Sequence, residues 1–311
     1  MGRPKLWRDV EKTCGVCGAK YAVTEATERR GRGKFCSKPC RYQGQILRVN
    51  EDFFATPTAD MAYVLGLAIT DGCIIERGHW GRQCDVLSIK SIDKDVLETT
   101  KRLMNSEYAI IDCGLTSKGN RVWRLDTPNA KIVEDISRWG VVPRKTFSTK
   151  FPMDLPSECH RDFVRGLLDG DGNVFCGNSK GKNGTTKMSV TIVGMRELLE
   201  PIPRLLGIEG HLSQHHNIYH LVVWKHLELV RLHAHLYYRS NLPCMERKKL
   251  AYSEMVRTIS ECSVRPQYGH TKRLAVQEAI NEVNRLACTH QSSLETLGSY
   301  QIDETRWRGT P

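Results

Sequence analysis

The sequence predicts an α+β fold of two like halves behind a small metal-stabilised module, and three observations carry that expectation. The run AYVLGLAITDGCI, Ala62 to Ile74, returns one hundred positions later as DFVRGLLDGDGNV, Asp162 to Val174. After each copy the apolar pattern changes in the same order: two alternating stretches, a helical one, two alternating ones, a helical one. Ahead of both copies, two pairs of cysteines stand in a strongly basic segment.

A chain of 311 residues has room for two or three compact units. A hydrophobic fraction of 40% with scattered charge fits a globular protein, and the formal charge of +11 calls for a polyanionic partner, most simply nucleic acid. That charge is unevenly spread: residues 1–50 hold 12 Lys/Arg against 4 Asp/Glu. The opening MGRPKLWRDV has no apolar core and no run of 18 apolar residues occurs, so the expectation is an intracellular, non-secreted chain with no membrane partner. Of the 12 cysteines, four are grouped and eight dispersed. In such a compartment the eight read as free thiols, mostly buried.

Residues 1–50 form the expected zinc module. Cys14-Gly-Val-Cys17 and Cys36-Ser-Lys-Pro-Cys40 supply four soft thiolates on two knuckles, a set suited to tetrahedral Zn²⁺. The bland alternative is four reduced cysteines without metal. Few large apolar residues surround them, so a metal would replace a core. FCSKPCR resembles the second knuckle of treble-clef or ribbon-like zinc modules. Between the knuckles ERRGRGK, with Arg29, Arg30 and Arg32, reads as a flexible cationic loop able to follow phosphates or simply to stay solvated. Gly2-Arg3-Pro4 resembles the core of an AT-hook without its usual preceding arginine.

The first repeat spans 51–150. A helix is predicted from Thr58 or Asp60 as N-cap to the Asp71-Gly72 pair. CIIER and DVLSIKS read as strands around a turn with Gly78 and Gly81, and Asp93–Met104 as a helix with Val96, Leu97, Thr100 and Leu103 on one side. YAIID and RVWRLD give a second strand pair across a Ser-Lys-Gly-Asn turn, and a helix runs from about Asn129 to Trp139. Strict alternation turns Leu87 and Ile89 inward and leaves Ser88 and Lys90 on the other face as contact candidates. Arg121 and Arg124 cannot both share that face.

The second repeat, 151–250, follows the same order. GNVFCG and TKMSVTIV are strands joined by an exposed loop, Asn178 to Gly184, with Met188, Val190 and Ile192 inward and Lys187, Ser189 and Thr191 outward. Prolines 201 and 203 interrupt the helix Met195–Leu206, strands follow near His211–Gln214 and Ile218–Trp224, and a helix runs from His226 to about Tyr238. His211, His215, His216 and His220 lack a metal-ligand spacing and read as polar strand and turn residues. Residues 251–311 form an extension, helical over Leu274–Leu286 and loose beyond His290.

Small residues recur at i and i+4 in both motif runs, Gly66 and Thr70, Gly166 and Gly170, a spacing that lets two helix backbones approach closely. Side by side, such helices bring Asp71 and Asp171 together at one end. Like charges that close invite a divalent cation. One copy alone would read as a buried helix ending in an Asp-Gly turn; two copies in the same order do not.

VLGLAITDG, Val64–Gly72, and VRGLLDGDG, Val164–Gly172, resemble the nine-letter motif of the LAGLIDADG homing endonucleases, matching at the third, fourth, eighth and ninth positions in the double-motif, single-chain form. Ile69 departs at the sixth position, where the second copy keeps Asp169, and Arg165 replaces a small residue. The resemblance covers about residues 60–250 and implies two pseudo-symmetric αββαββα repeats forming a saddle on double-stranded DNA. It implies a monomer that makes a double-strand break with short 3′ overhangs at a long site, as a mobile-intron enzyme does. Asp71 and Asp171, with the backbone of Gly72 and Gly172 beside them, would hold Mg²⁺. Lys145, after the first unit, and Lys248, with Lys249 as the neighbouring alternative, resemble the family's active-site lysines. Two rivals share the fold: a group I intron maturase that binds RNA, and a regulator that binds DNA without cutting. Both acids being present argues against the second and less so against the first. A start at Met and an end at Gly-Thr-Pro do not resemble intein splicing.

Overall fold

The computed structural model describes residues 9–45, 47–76, 78, 84–145, 148–178, 186–263, 278 and 281. Gly2-Arg3-Pro4, Gly81, the loop from 179 to 184 and the Leu274–Leu286 stretch as a helix lie outside them. The chain divides into two compact units, Met1–Val49 and Asn50–Pro311.

The first unit is a hairpin of β1 (Asp9–Thr13) and β2 (Lys20–Thr24), followed by α1 (Glu25–Arg29) and α2 (Lys38–Gln45). Thr24 caps α1, its Oγ1 accepting from Thr27 N–H at 3.3 Å. Helix α1 therefore takes up Glu28 and Arg29 from the expected cationic loop, which begins only at Arg30. Among its residues with described side chains only Cys14 is buried, so this unit has no apolar core.

In the second unit α3 (Ala59–Thr70) starts at Thr58, whose Oγ1 accepts from Met61 N–H at 3.1 Å. Residues Met61 to Ile69 are all buried, as befits a helix apolar on every side. Its end runs directly into β3 (Gly72–Ile75), paired antiparallel with β4 (Val86–Ser91). Then come α4 (Lys94–Leu103), β5 (Ile110–Leu115), β6 (Arg121–Thr127) and α5 (Ala130–Arg138), capped by Asn129. The sheet order is β3-β4-β6-β5, antiparallel throughout.

The second half repeats this plan. α6 (His160–Asp171) enters β7 (Gly172–Asn178), followed by β8 (Thr186–Gly194), α7 (Arg196–Leu199), α8 (Ile202–Leu206), β9 (His211–His215), β10 (Ile218–Val223) and α9 (His226–Leu236). The order β7-β8-β10-β9 matches the first sheet strand for strand. The fold is thus α+β with two αββαββα repeats, the prolines having split one helix into α7 and α8. Inward residues Leu87, Ile89, Leu125, Val190, Ile192 and Leu221 are at most 2% exposed and form the core with the helices.

A final helix, α10 (Glu246–Ser263), was not expected from the sequence, although Tyr252, Met255 and Ile259, all 0% exposed, have helical spacing. The free-thiol expectation needs a correction too. No disulfide occurs among the described cysteines, but of the six dispersed ones described only Cys159 is buried. Cys73, Cys113 and Cys176 are exposed because β3, β5 and β7 are edge strands, open along one flank.

Candidate functional site

Helices α3 and α6 make the most extensive helix–helix contact among the described elements, and their small residues are where they meet. A Cβ on Gly66 would stand 2.3 Å from Phe163 O, one on Gly166 2.2 Å from Tyr63 O, and the two Cα positions face each other. One on Gly170 would fall 1.9 Å from Thr70 Oγ1, a hydroxyl that donates back to Leu67 O at 3.0 Å. Gly72 and Gly172 follow because the strand leaves each helix end against its own preceding turn: a Cβ there would meet Ala68 O at 2.6 Å and Leu168 O at 2.4 Å. Each Asp-Gly pair is thus a helix end and a strand start at once.

This packing sets Asp71 and Asp171 at the same end of the helix pair, within each other's field. Burial, then the charge of Asp171, pushes Asp71 up to about 6, against the pull of Lys248 and Lys145. Asp171 is the more exposed of the two by surface area, yet enough protein surrounds its carboxyl for burial to raise it as well. Two hard oxygen donors that ionise with difficulty side by side are a donor set that a divalent cation such as Mg²⁺ relieves.

The two lysines arrive from the ends of the two repeats. Lys145, 7% exposed, donates Nζ–H to Gly72 O, and burial lowers it while Asp171 and Asp71 hold it up. Lys248, 6% exposed, donates to Leu168 O, Asp169 O and Gly170 O at 2.8, 2.7 and 3.0 Å. It thereby caps the last carbonyls of α6, of which Leu168 O also accepts the N–H of Gly172. Burial takes Lys248 down to about 8, with Asp169, Asp71 and Asp93 opposing and Arg247 assisting. Lys249, the alternative, is nearer the surface and lies within 4.0 Å of Glu246.

Around them is a polar network that the motif letters only hint at. Arg165, 0% exposed, donates to Asp162 Oδ1 at 2.7 Å, Leu236 O at 3.0 Å and Pro243 O at 2.8 Å, strapping the chain after α9 to α6. Asp169 accepts from Tyr63 O–H at 3.0 Å and Met245 N–H at 2.7 Å. Arg247 makes a two-pronged bond to Asp93, at 2.7 and 2.9 Å, joining α10 to the first repeat. A charged residue inside an apolar run signals the first two; no signal marks Arg247 and Asp93, 154 positions apart.

Each sheet turns one face to the helices. On the other, Lys90 and Lys187 are exposed and Ser189 and Thr191 half-buried. Ser88 is not available there: it is 0% exposed, on a central strand paired with Cys73 on one side and Asp126 on the other. Arg124 pairs across from Lys90 and lies 3.2 Å from Asp126, while Arg121 is drawn aside to Asp112 at 2.7 Å beyond a register shift in β5. His211, His215 and His220 are strand residues, and His216 takes a turn with φ 54°.

In the first unit the sulfurs of Cys14, Cys17, Cys36 and Cys40 all lie within 4.8 Å of one another. Cys17 Sγ is 3.4 Å from Cys36 Sγ, which is 3.5 Å from Cys40 Sγ. Tetrahedral zinc–thiolate bonds of about 2.3 Å put sulfurs roughly 3.8 Å apart, so the set fits. Backbone N–H groups of Cys36, Cys17 and Val16 hold the Cys14 thiol down to about 6, whereas Cys36, crowded by Cys17 and Cys40, is pushed up to about 12. Four sulfurs this close do not all ionise without a cation. Arg30 and Arg32 are exposed, and Arg29 is bound to Glu25 at 2.6 Å.

No family model matches the chain, and no curated protein sequence matches it. Solved structures do. The LAGLIDADG meganuclease I-AabMI bound to uncleaved DNA is 13% identical, with a TM-score of 0.47 over 72% of this chain and 96% of that one. The LAGLIDADG homing endonuclease I-LtrWI bound to target DNA is 12% identical, with a TM-score of 0.47 over 79% and 99%. The I-SmaMI homing endonuclease bound to cleaved DNA is 13% identical, with a TM-score of 0.43 over 73% and 95%. At such identities the reading of the site rests on the chain's own residues. What makes this chain resemble the LAGLIDADG homing endonucleases is a pair of Asp-Gly helix ends, held together by glycine on glycine.

Proposed function

We propose that the chain is a site-specific DNA endonuclease that makes a divalent-metal-dependent double-strand break, with Asp71 and Asp171 as its metal-binding acids. The observation that supports this most is the convergence of both acids at one end of the α3–α6 pair, each raised by burial and Asp71 to about 6. Asp71 and Asp171, with the backbone of Gly72 and Gly172, would hold Mg²⁺, which when bound supplies a Lewis acid for phosphate and a more acidic water.

The chain's own groups account for the rest. Burial raises both carboxyls while Lys145 and Lys248 oppose that rise, and above about pH 6 Asp71 is ionised and can orient a water. Lys248 spends its donors on the carbonyls of α6 and acts through its charge, which offsets negative charge gathering at the phosphate. Lys145 donates a hydrogen bond to Gly72 O and stands in the field of both acids. Exposed Lys90 and Lys187, with Ser189 and Thr191, would meet the duplex across the open sheet faces. The four cysteines would hold one Zn²⁺ as the missing core of the first unit, and Arg29, Arg30 and Arg32 would add phosphate contacts.

Selection of cut molecules from a randomised duplex library, with Mg²⁺ and with EDTA, tests the reading. Double-strand cuts at one recovered site with Mg²⁺ and none with EDTA are expected. Binding without cutting would point to the regulator, and preference for structured RNA to the maturase.

A further inference from the structure

We propose that Asp169 is a positioning residue for Lys248 and that it makes the two halves of the site unequal, an inference that rests on the endonuclease reading. Asp169 lies on α6 two residues before Asp171 and is 0% exposed. Its Oδ2 accepts the N–H of Met245, the residue before α10 begins, at 2.7 Å. Met245 O in turn receives the N–H groups of Lys248 and Lys249, both at 3.1 Å, so the first turn of α10 is built on it. The same Oδ2 accepts Tyr63 O–H from α3 at 3.0 Å. One carboxylate oxygen therefore ties both motif helices to the start of the helix that carries Lys248.

The link closes on itself. Lys248 Nζ returns to the main chain of α6, with Asp169 O among its acceptors at 2.7 Å. Asp169 holds α10 through its side chain at Met245 and through its carbonyl at Lys248. Arg247, the residue before Lys248, is fixed to Asp93, which restrains α10 from the other side. The groups facing Asp169 include Tyr63, Tyr237, Cys244, Arg165, Arg247 and Lys248, and those facing Lys248 include Asp169, Arg247, Asp71, Asp93 and Asp171.

This arrangement is costly, which argues that it does something. Asp169 is 0% exposed, and its Oδ1 is buried with no hydrogen-bond partner among the described residues. An apolar residue would avoid that cost. The first half does so: Ile69 stands at the matching position, 4% exposed. There Lys145 follows Arg144, a non-glycine residue at φ 58°, lies outside the described α-helices, and takes one carbonyl among the described residues rather than three. The lysine of the second half is held by a carboxylate-anchored helix, and that of the first by its loop.

The test has two readouts on the full chain. With ε-¹³C-lysine, the Lys248 resonance is assigned by Lys248→Arg and titrated in the wild type, in Asp169→Asn and in Asp169→Ile, the last carrying the residue of the first half and removing a half-satisfied buried charge. The Lys248 midpoint, near 8 in the wild type, should fall in both variants while that of Lys145 stays put. Strand-resolved cleavage on doubly end-labelled duplex should show one strand slowed by about 10-fold or more, since a shift near 1 Å costs on the order of 10²-fold. That strand should be the one Lys248→Met slows, Lys145→Met should slow the other, and Asp169→Asn with Lys248→Met should be no slower than Lys248→Met alone. Equal slowing of both strands, additivity with Lys248→Met, or an unmoved Lys248 midpoint would overturn the proposal. If the wild type cuts neither strand, the endonuclease reading falls, and amide exchange of Lys248 and Lys249 decides the link: faster in both variants if Asp169 anchors that turn through Met245, unchanged if it does not.

Discussion

The two motif acids differ from ordinary surface carboxylates in one measurable way: they resist ionising. Metal binding requires the ionised form, so cleavage should decline as pH falls through about 6, the value to which burial and Asp171 raise Asp71. Added Mg²⁺ competes with the proton, and the midpoint of that decline should move to lower pH as its concentration rises. An acid limb that ignores Mg²⁺ would disconnect the acids from the metal. Asp71→Asn and Asp171→Asn keep size and lose charge. Each should reduce double-strand cleavage by more than about 10²-fold and leave binding intact, because removing an acid lessens repulsion of phosphate. Gel shift and cleavage of the same duplex read both. Whether one nicked strand persists reports how far the halves share a cation. Full cutting by the double variant would take both residues out of the chemistry.

At the scale of elements, the helix pair depends on hydrogen atoms where side chains would be. Gly66→Ala or Gly166→Ala places a methyl 2.2–2.3 Å from a backbone carbonyl that cannot step aside alone. The helices must part, at a cost of about 1–3 kcal/mol or more. A fall in Tm is expected, with a larger loss of cleavage than of binding, since the acids move with the helix ends. In the cysteine unit, atomic emission should find one zinc per chain, absent in Cys36→Ser. A chain beginning near Asn50 should bind its duplex more weakly; equal affinity would mean the unit adds none.

For the whole molecule, charge decides how it meets a duplex. A net +11, concentrated in the first fifty residues and joined by exposed Lys90 and Lys187, should make log Kd rise steeply with log salt. Titrations from low to physiological salt that stay flat would rule out phosphate tracking. Stability should carry a pH signature of its own in metal-free protein. Asp169 has a folded value near 6 against an ordinary 3.8, so folding takes up a proton in that window. The contribution, on the order of 3 kcal/mol, is present below about 4 and lost as pH rises through about 6. Melting curves of wild type and Asp169→Ile from pH 4 to 8 should converge at the acid end and part at the neutral end, with the variant gaining.

Much of this protein is written in short windows of sequence. The caps Thr58 and Asn129, the strand alternation of Met188, Val190 and Ile192, and the cysteine knuckles each depend on neighbours a few positions away, and they form where the pattern places them. The repeat is legible for the same reason, as one local pattern met twice, and the small-residue spacing already implies that two helices approach closely. Local pattern fails where an environment is assembled from distant strands and helices. Ser88 alternates outward yet is buried, because shielding depends on what stands on both flanking strands. Cys73, Cys113 and Cys176 are apolar enough for a core but fall on edges, and edge or centre is a property of sheet order. Arg165 and Asp169 read as departures in an apolar run; apart from Asp162, one turn before Arg165, their side-chain partners lie 71 to 78 positions away, or 106 for Tyr63. The sequence by itself determined which residues could be acids, helix contacts and metal ligands. Only the tertiary structure decided which lysine is clamped and which half of the site differs, because a buried hydrogen bond is made by chain segments that meet in space and leave no periodicity between them.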